Sequence, residues 1–135
     1  MTLQLFPPNF PTELGHAAFS AGNEAAWQPT TALAAVEWFT SHGYAVLGTE
    51  LWLLQNERIQ SLPLGLSGLA EVHGNTVNRG SKETWSSFVT RSGQETLAYL
   101  RAFKPPDIVE QGQLFFNITW IGEDEFAALG EMNGP

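Results

Sequence analysis

The sequence predicts a single α+β domain in which a small, mostly antiparallel sheet packs against helices. Apolar residues recur with helical spacing after Pro29 and after Ser81, whereas the segments after Gly43 and Gly112 are dense in β-branched and aromatic residues. A chain of 135 residues is long enough for one core and needs no second domain. With 43% hydrophobic residues, five Trp and nine Phe, the chain is too apolar to be disordered.

The first 22 residues are expected to form an irregular N-terminal arm. Three early prolines remove backbone donors and oppose a helix. Three apolar side chains of the arm should hold it against the core: Leu5, Phe6 and Phe10. After the arm, residues 23–27 predict a short helical turn.

A stronger helix is predicted to begin near Thr30 or Thr31, either of which could cap it, and to end at Gly43. His42 falls in its last turn, where a partly protonated imidazole interacts favourably with the helix dipole. The stripe that should face the core follows i, i+3, i+4, i+7 spacing and comprises Ala32, Ala35, Val36 and Phe39.

One carboxylate, Glu50, interrupts the apolar strand predicted over residues 44–54. Because desolvating a carboxylate is costly, Glu50 is a solvated edge group, a hydrogen-bonded anchor inside the fold, or part of a recognition site. In a continuous strand Glu50 shares a face with Tyr44 and Val46, whereas a turn or bulge at Gly48 changes that assignment. We favour the anchor, and the other two alternatives remain open.

The middle of the chain is broken by turn-forming residues. Residues 55–58 predict a turn, and residues 59–70 predict a short strand and a loop. Residues 71–80 are the least structured by composition, which makes them the best loop candidate for contact with a partner. His73 lies in this loop, but no second histidine has metal-ligand spacing.

Two helices are predicted between residues 81 and 103. The first carries an apolar stripe of Trp85, Phe88 and Val89. Ser92 followed three residues later by Glu95 predicts a capping box that begins the second helix, which ends before Pro105 and Pro106.

The last strong element is a strand over residues 112–121. Alternation places Leu114, Phe116, Ile118 and Trp120 on one face, which helices should cover, and Phe115, Asn117 and Thr119 on the other. Three consecutive acids and a final helical turn over residues 126–129 follow it.

Charge and composition limit the classes of function. Residues 1–57 carry a charge of −5, residues 58–104 carry +3 and residues 105–135 carry −6, for a total of −8. This balance disfavours nucleic acid and anionic membranes as partners and permits steering toward a basic protein. The chain has no cysteine, no signal peptide and no apolar stretch long enough to span a membrane, so we expect a cytoplasmic protein.

No catalytic pattern is evident in the sequence. It holds no Gly-rich phosphate-binding motif, and its three histidines lie far apart. We therefore expect a protein that is not an enzyme and uses no cofactor or metal.

The order of these features resembles the immunity protein 40 family of bacterial polymorphic toxin systems. The resemblance covers roughly residues 30–126 and rests on Gly48-Thr49-Glu50 followed by Trp52, on Pro105-Pro106, and on the segments 95–100 and 116–120. That family is described by an α+β fold, several aromatic positions and a Gly-x-Glu motif. The resemblance implies a cytoplasmic protein, encoded beside a toxin, that binds and blocks the toxin domain without turnover.

A cognate toxin is the partner that this resemblance implies, and a homodimer is compatible with an open sheet edge. The alternative is a small-molecule-binding or structural α+β domain whose aromatics line a pocket. The candidate motif or contact residues are Gly48, Glu50, Trp52, Glu71, His73, Asn75, Glu123, Asp124 and Glu125.

Overall fold

The computed structural model describes residues 6–55, 58–61, 74–103 and 113–132. These residues form an antiparallel sheet with helices packed on it, which confirms the predicted α+β class. In chain order the elements are α1 (Thr12–Ala17), β1 (Phe19–Ala21), β2 (Glu24–Trp27), α2 (Pro29–Ser41), β3 (Ala45–Gln55), β4 (Arg58–Ser61), β5 (Gly74–Thr76), α3 (Trp85–Ala102), β6 (Gln113–Ile121) and α4 (Glu123–Met132).

Strands β3 and β6 are the centre of the sheet. They pair from Ala45 opposite Ile121 to Leu54 opposite Gln113. The strand order is β1-β2-β6-β3-β4, and β5 pairs with β3 at residues 48–50. The strand that carries Glu50 is therefore paired on both sides.

Helix α2 covers one face of this sheet. All four residues of its predicted stripe are fully buried, and they pack against the strand side chains of Leu51, Phe116 and Ile118. The alternation predicted for β6 is also confirmed, because Leu114, Phe116 and Ile118 belong to this core and Trp120 packs against it. Fully burying a Val, Leu, Ile or Phe side chain in this core stabilises the fold by about 1.5–3 kcal/mol.

The N-terminal arm packs onto the same core. The rings of Phe6 and Phe10 stack with their centroids 4.6 Å apart, and Phe10 also stacks on Phe39 at 5.4 Å. These contacts confirm the two predicted anchors, whereas Leu5 lies outside the described residues. The arm is not irregular throughout, because α1 and β1 lie within it: the prolines end at position 11, immediately before α1.

Residues 24–27 form a strand, so the helical turn predicted for this segment is wrong. β2 follows β1 through a tight turn in which Gly22 has a φ of 62°, and it then pairs with β6. Ala25, Ala26 and Trp27 are fully buried. Burial against both neighbouring strands outweighs the helical preference of alanine in so short a segment.

The second half contains one long helix where two were predicted. Ser92 is fully buried inside α3, and its hydroxyl donates to the Val89 carbonyl at 3.1 Å and accepts from the Val46 amide at 3.0 Å. The serine therefore joins α3 to β3 and caps nothing. The cap belongs to Thr84, whose side chain accepts from the amide of Ser87.

Other boundaries differ by smaller amounts. Helix α2 begins at Pro29 with Gln28 as its cap, so neither predicted threonine caps it, and Gly43 follows the helix with a φ of 83°. Residues 74–76, expected in a loop, form β5. Of the turn predicted over residues 55–58, residues 56 and 57 lie outside the described residues, as does the predicted stop at Pro105 and Pro106. Within the described part of the chain, no helix is both long and apolar enough to cross a membrane.

Candidate functional site

A bulge in β3 decides which way Glu50 points. Val46 is opposite Trp120 and Gly48 is opposite Thr119, so Leu47 is an extra residue between two consecutive pairs of the ladder. Val46 therefore lies in the helix-covered core, whereas Glu50 lies on the opposite face with Gly48. The bulged alternative for this strand is the correct one.

Glu50 is exposed, so the prediction of a buried or half-buried anchor is wrong. Glu50 is not an edge residue either, because its backbone lies between Asn117 of β6 and Gly74 of β5. In the part of the chain that the structure describes, no hydrogen bond or ion pair holds its carboxylate. The carboxylate is thus presented to solvent from the middle of the sheet.

Glu50 lines a shallow depression of about 260 Å³ on this second face, which we call the sheet-face depression. Four neighbouring strands contribute to it. Its lining comprises Glu24 of β2, residues 47–50 of β3, Thr76 of β5, and Asn117 and Thr119 of β6. Because paired strands hold all of these positions, the depression exists without a partner.

Glu24 is a residue of the sheet-face depression that the sequence prediction missed. It is exposed, it begins β2, and it lines both the sheet-face depression and an adjoining cavity of about 290 Å³. The available signal was Gly22-Asn23 between two short apolar runs, a pair typical of a two-residue hairpin turn. Such a hairpin places Glu24 at the start of a strand.

Asn117 forms the floor of the depression. It is only 3% exposed, and its side-chain amide donates to the carbonyl of Ala25 at 3.0 Å. This bond joins β6 to β2 beneath the two carboxylates. Since it links positions 92 residues apart, sequence spacing gave no indication of it.

Beyond Asn117 the same face becomes apolar. Trp52, Ala26 and Phe115 pack together and are 6% exposed or less. Trp52 therefore supports the face from beside the depression, and its buried side chain is not an exposed contact in this structure.

Arg91 and Arg101 pair with carboxylates away from the sheet-face depression. Arg91 donates to both carboxylate oxygens of Glu83, at 2.7 and 2.8 Å, and it also pairs with Glu95. The hydrogen bonds from Arg91, with a further one from the Gly80 amide, lower the pKa of Glu83 to about 2. Arg101 lies 3.6 Å from Glu37 on α2. None of the described residues lining the sheet-face depression is basic, so this described lining supplies no cation to its two carboxylates.

The remaining candidate residues are dispersed. The backbone of Asn75 is opposite Thr49, next to the depression, whereas Glu71 and His73 lie outside the described residues. The acidic triplet of residues 123–125 forms the exposed first turn of α4, where negative charge favours the helix dipole. It lines none of the described walls of the depression.

The chemistry available in the depression is hydrogen bonding and charge. No described histidine lines it, and among residues 6–55, 58–61, 74–103 and 113–132 no three His, Asp or Glu side chains come together as a metal site. Two carboxylates, threonine hydroxyls and a buried amide can accept hydrogen bonds from a cationic or polar group of another molecule.

A family model matches most of this chain. The model of a family described as Immunity protein 40 matches residues 13–120, which is well over half of the chain. This match begins before the predicted resemblance, so it includes β1 and all of α1 except Thr12, and it ends before α4. No curated protein and no solved structure was found to match the chain.

Proposed function

This chain belongs to the immunity protein 40 family, and we propose that it binds a cognate bacterial toxin domain and neutralises it by covering its active surface, without catalysis. Family membership implies an immunity protein against a toxin. The mode of inhibition and the surface used are our proposal.

The observation that carries the proposed surface is the exposed carboxylate of Glu50 on a strand paired on both sides. A charge on a central strand contributes little to the core, and a bulge directs this one to solvent. The fold itself does not need a glutamate at this position. We therefore infer that the sheet-face depression, which includes Gly48 and Glu50 of the Gly-x-Glu motif, is part of the toxin contact.

The extent of the family match supports the same surface. Every described residue of the depression lies within the matched residues 13–120. The acids of residues 123–125 lie beyond the match, and we place them at the rim of the contact or outside it. A net charge of −8 favours association with a basic toxin surface by raising the encounter rate.

Coexpression with the toxin encoded by the neighbouring gene tests the function. We expect the chain to rescue growth of cells that produce the toxin and to copurify with a catalytically inactive form of it. If neither rescue nor a complex is found, the immunity function is wrong for that pair.

The variant Glu50→Gln separates a contact role from a role in the fold. Because Glu50 is exposed, we expect an unchanged melting temperature and a weaker complex. The matched control is Glu13→Gln, which removes the same charge from an exposed position on α1. A lower melting temperature with an unchanged affinity would return Glu50 to the role of a structural residue.

A further inference from the structure

Two carboxylates from different strands share one depression. Glu24 and Glu50 are separated by 26 positions in sequence, yet both are exposed and both line the same cavity of about 260 Å³. They belong to strands that lie on either side of β6. A cation held in the depression would be attracted by both carboxylates.

The size of the depression restricts what can enter it. Small-molecule sites usually enclose about 300–1,000 Å³ and bury most of the ligand. The sheet-face depression is near the lower end of this range and open to solvent, so it would bury little of a free ligand and suits a side chain delivered by a larger molecule. The floor is a fixed amide, Asn117, and the rim carries the hydroxyls of Thr76 and Thr119.

We propose that the sheet-face depression receives one cationic side chain of the toxin, an arginine, whose guanidinium is shared by the carboxylates of Glu24 and Glu50. This inference rests on the proposed function. Arginine fits better than lysine because its planar group has five donors and can satisfy two carboxylates at once. A cationic occupant also agrees with the absence of any basic residue among the described lining.

The affinity for the catalytically inactive toxin tests this arrangement. Glu24→Gln and Glu50→Gln should each raise the dissociation constant about tenfold or more, because each leaves the buried guanidinium partly unpaired. Glu13→Gln should change it by less than about twofold. The double variant should lose less than the product of the two single losses, because both carboxylates hold the same cation.

Two results from this experiment would overturn the proposal. If both single variants bind as tightly as the unaltered chain, the depression receives no cation, although the toxin is still bound. If the two losses multiply, Glu24 and Glu50 contact the toxin independently. If the neighbouring toxin binds the unaltered chain, this experiment decides whether the depression receives a cation.

If the neighbouring toxin does not bind the unaltered chain, the proposed function fails and a second probe decides about the depression. The probe is the blocked tripeptide acetyl-Gly-Arg-Gly-amide, compared with the same peptide carrying Gln in place of Arg, in an NMR titration. The arginine peptide should shift the amide resonances of Gly48, Asn117 and Thr119, and Glu24→Gln/Glu50→Gln should abolish these shifts. Absent shifts, or shifts that persist in the double variant, would refute a cation site.

Discussion

Replacing Gly93 with alanine should destabilise the fold at the contact between α2 and α3. A Cβ atom at this position would lie 2.1 Å from Oγ1, 2.9 Å from Cγ2 and 3.0 Å from Cβ of Thr40. Rotating the Thr40 side chain moves Oγ1 and Cγ2 but leaves its Cβ 3.0 Å away, closer than an ordinary contact. The two helices must therefore move apart, or α3 must shift along α2.

The size of the effect follows from two opposing terms. Overpacking in a close-packed interior costs about 1–3 kcal/mol, and an overlap with three atoms belongs at the upper end. Alanine in place of glycine within a helix recovers about 0.5–1 kcal/mol. The net loss should be about 2 kcal/mol, which lowers the melting temperature on the order of 8 °C.

Urea unfolding of Gly93→Ala measures this loss, and Gly15→Ala is the matched control. A Cβ on Gly15 of α1 would meet only the Phe6 ring, at an ordinary contact distance of 3.5 Å, so this variant should be unchanged or slightly more stable. Thr40→Ala removes the two closest atoms and also a buried hydroxyl without a hydrogen-bond partner. It should therefore restore about 1 kcal/mol or more to Gly93→Ala.

Two results would refute this reasoning. Gly93→Ala as stable as the unaltered chain would mean that the helices lie farther apart at this point. A loss that Thr40→Ala leaves unchanged would mean that Gly93 is required for a reason other than its contact with Thr40.

Three further predictions concern the fold. The folded-state pKa of Glu83 is lowered to about 2, so Glu83 contributes stability that is present above about pH 4.5 and lost as pH falls toward 2. Glu83→Gln should remove this contribution, and urea midpoints of both proteins across this pH range measure it. Two curves of midpoint against pH that stay parallel would contradict it. Ser92→Ala leaves the buried Val46 amide unpaired and should cost about 1–3 kcal/mol, with faster hydrogen exchange at that amide; unchanged exchange would exclude this bond. Trp27→Phe removes the donor that bonds the Leu14 carbonyl at 2.8 Å and leaves a cavity, so thermal unfolding should show a loss of about 2–4 kcal/mol, and a loss below about 1 kcal/mol would contradict it.

The parts of the fold that could be predicted from sequence are those with strong local periodicity. The stripe of α2 and the alternation of β6 each repeat over nearly the whole element, and both face the core as expected. Ser92 and Glu95 misled the prediction because a capping box is a short pattern. In the structure the Ser92 hydroxyl accepts a hydrogen bond from the Val46 amide, so this serine joins α3 to β3 instead of capping a helix.

The sequence predicted only part of the candidate site. Glu50 was conspicuous as a charge among apolar residues, but its direction depends on one extra residue in the ladder, which the sequence allowed without requiring. Glu24 was not predicted, because the alanines of its segment favour a helix. It reaches the site through pairing of β2 with β6, a contact that no local pattern encodes.

The bulge of β3 also determines where the chain can change length. Leu47 and Gly48 together are opposite a single residue of β6. Deleting Leu47 would leave Val46 and Gly48 opposite Trp120 and Thr119, a regular ladder in which the following residues keep their faces. Family members one residue shorter at this point would therefore present the same carboxylate to solvent, and a gap in an alignment of the family belongs at position 47.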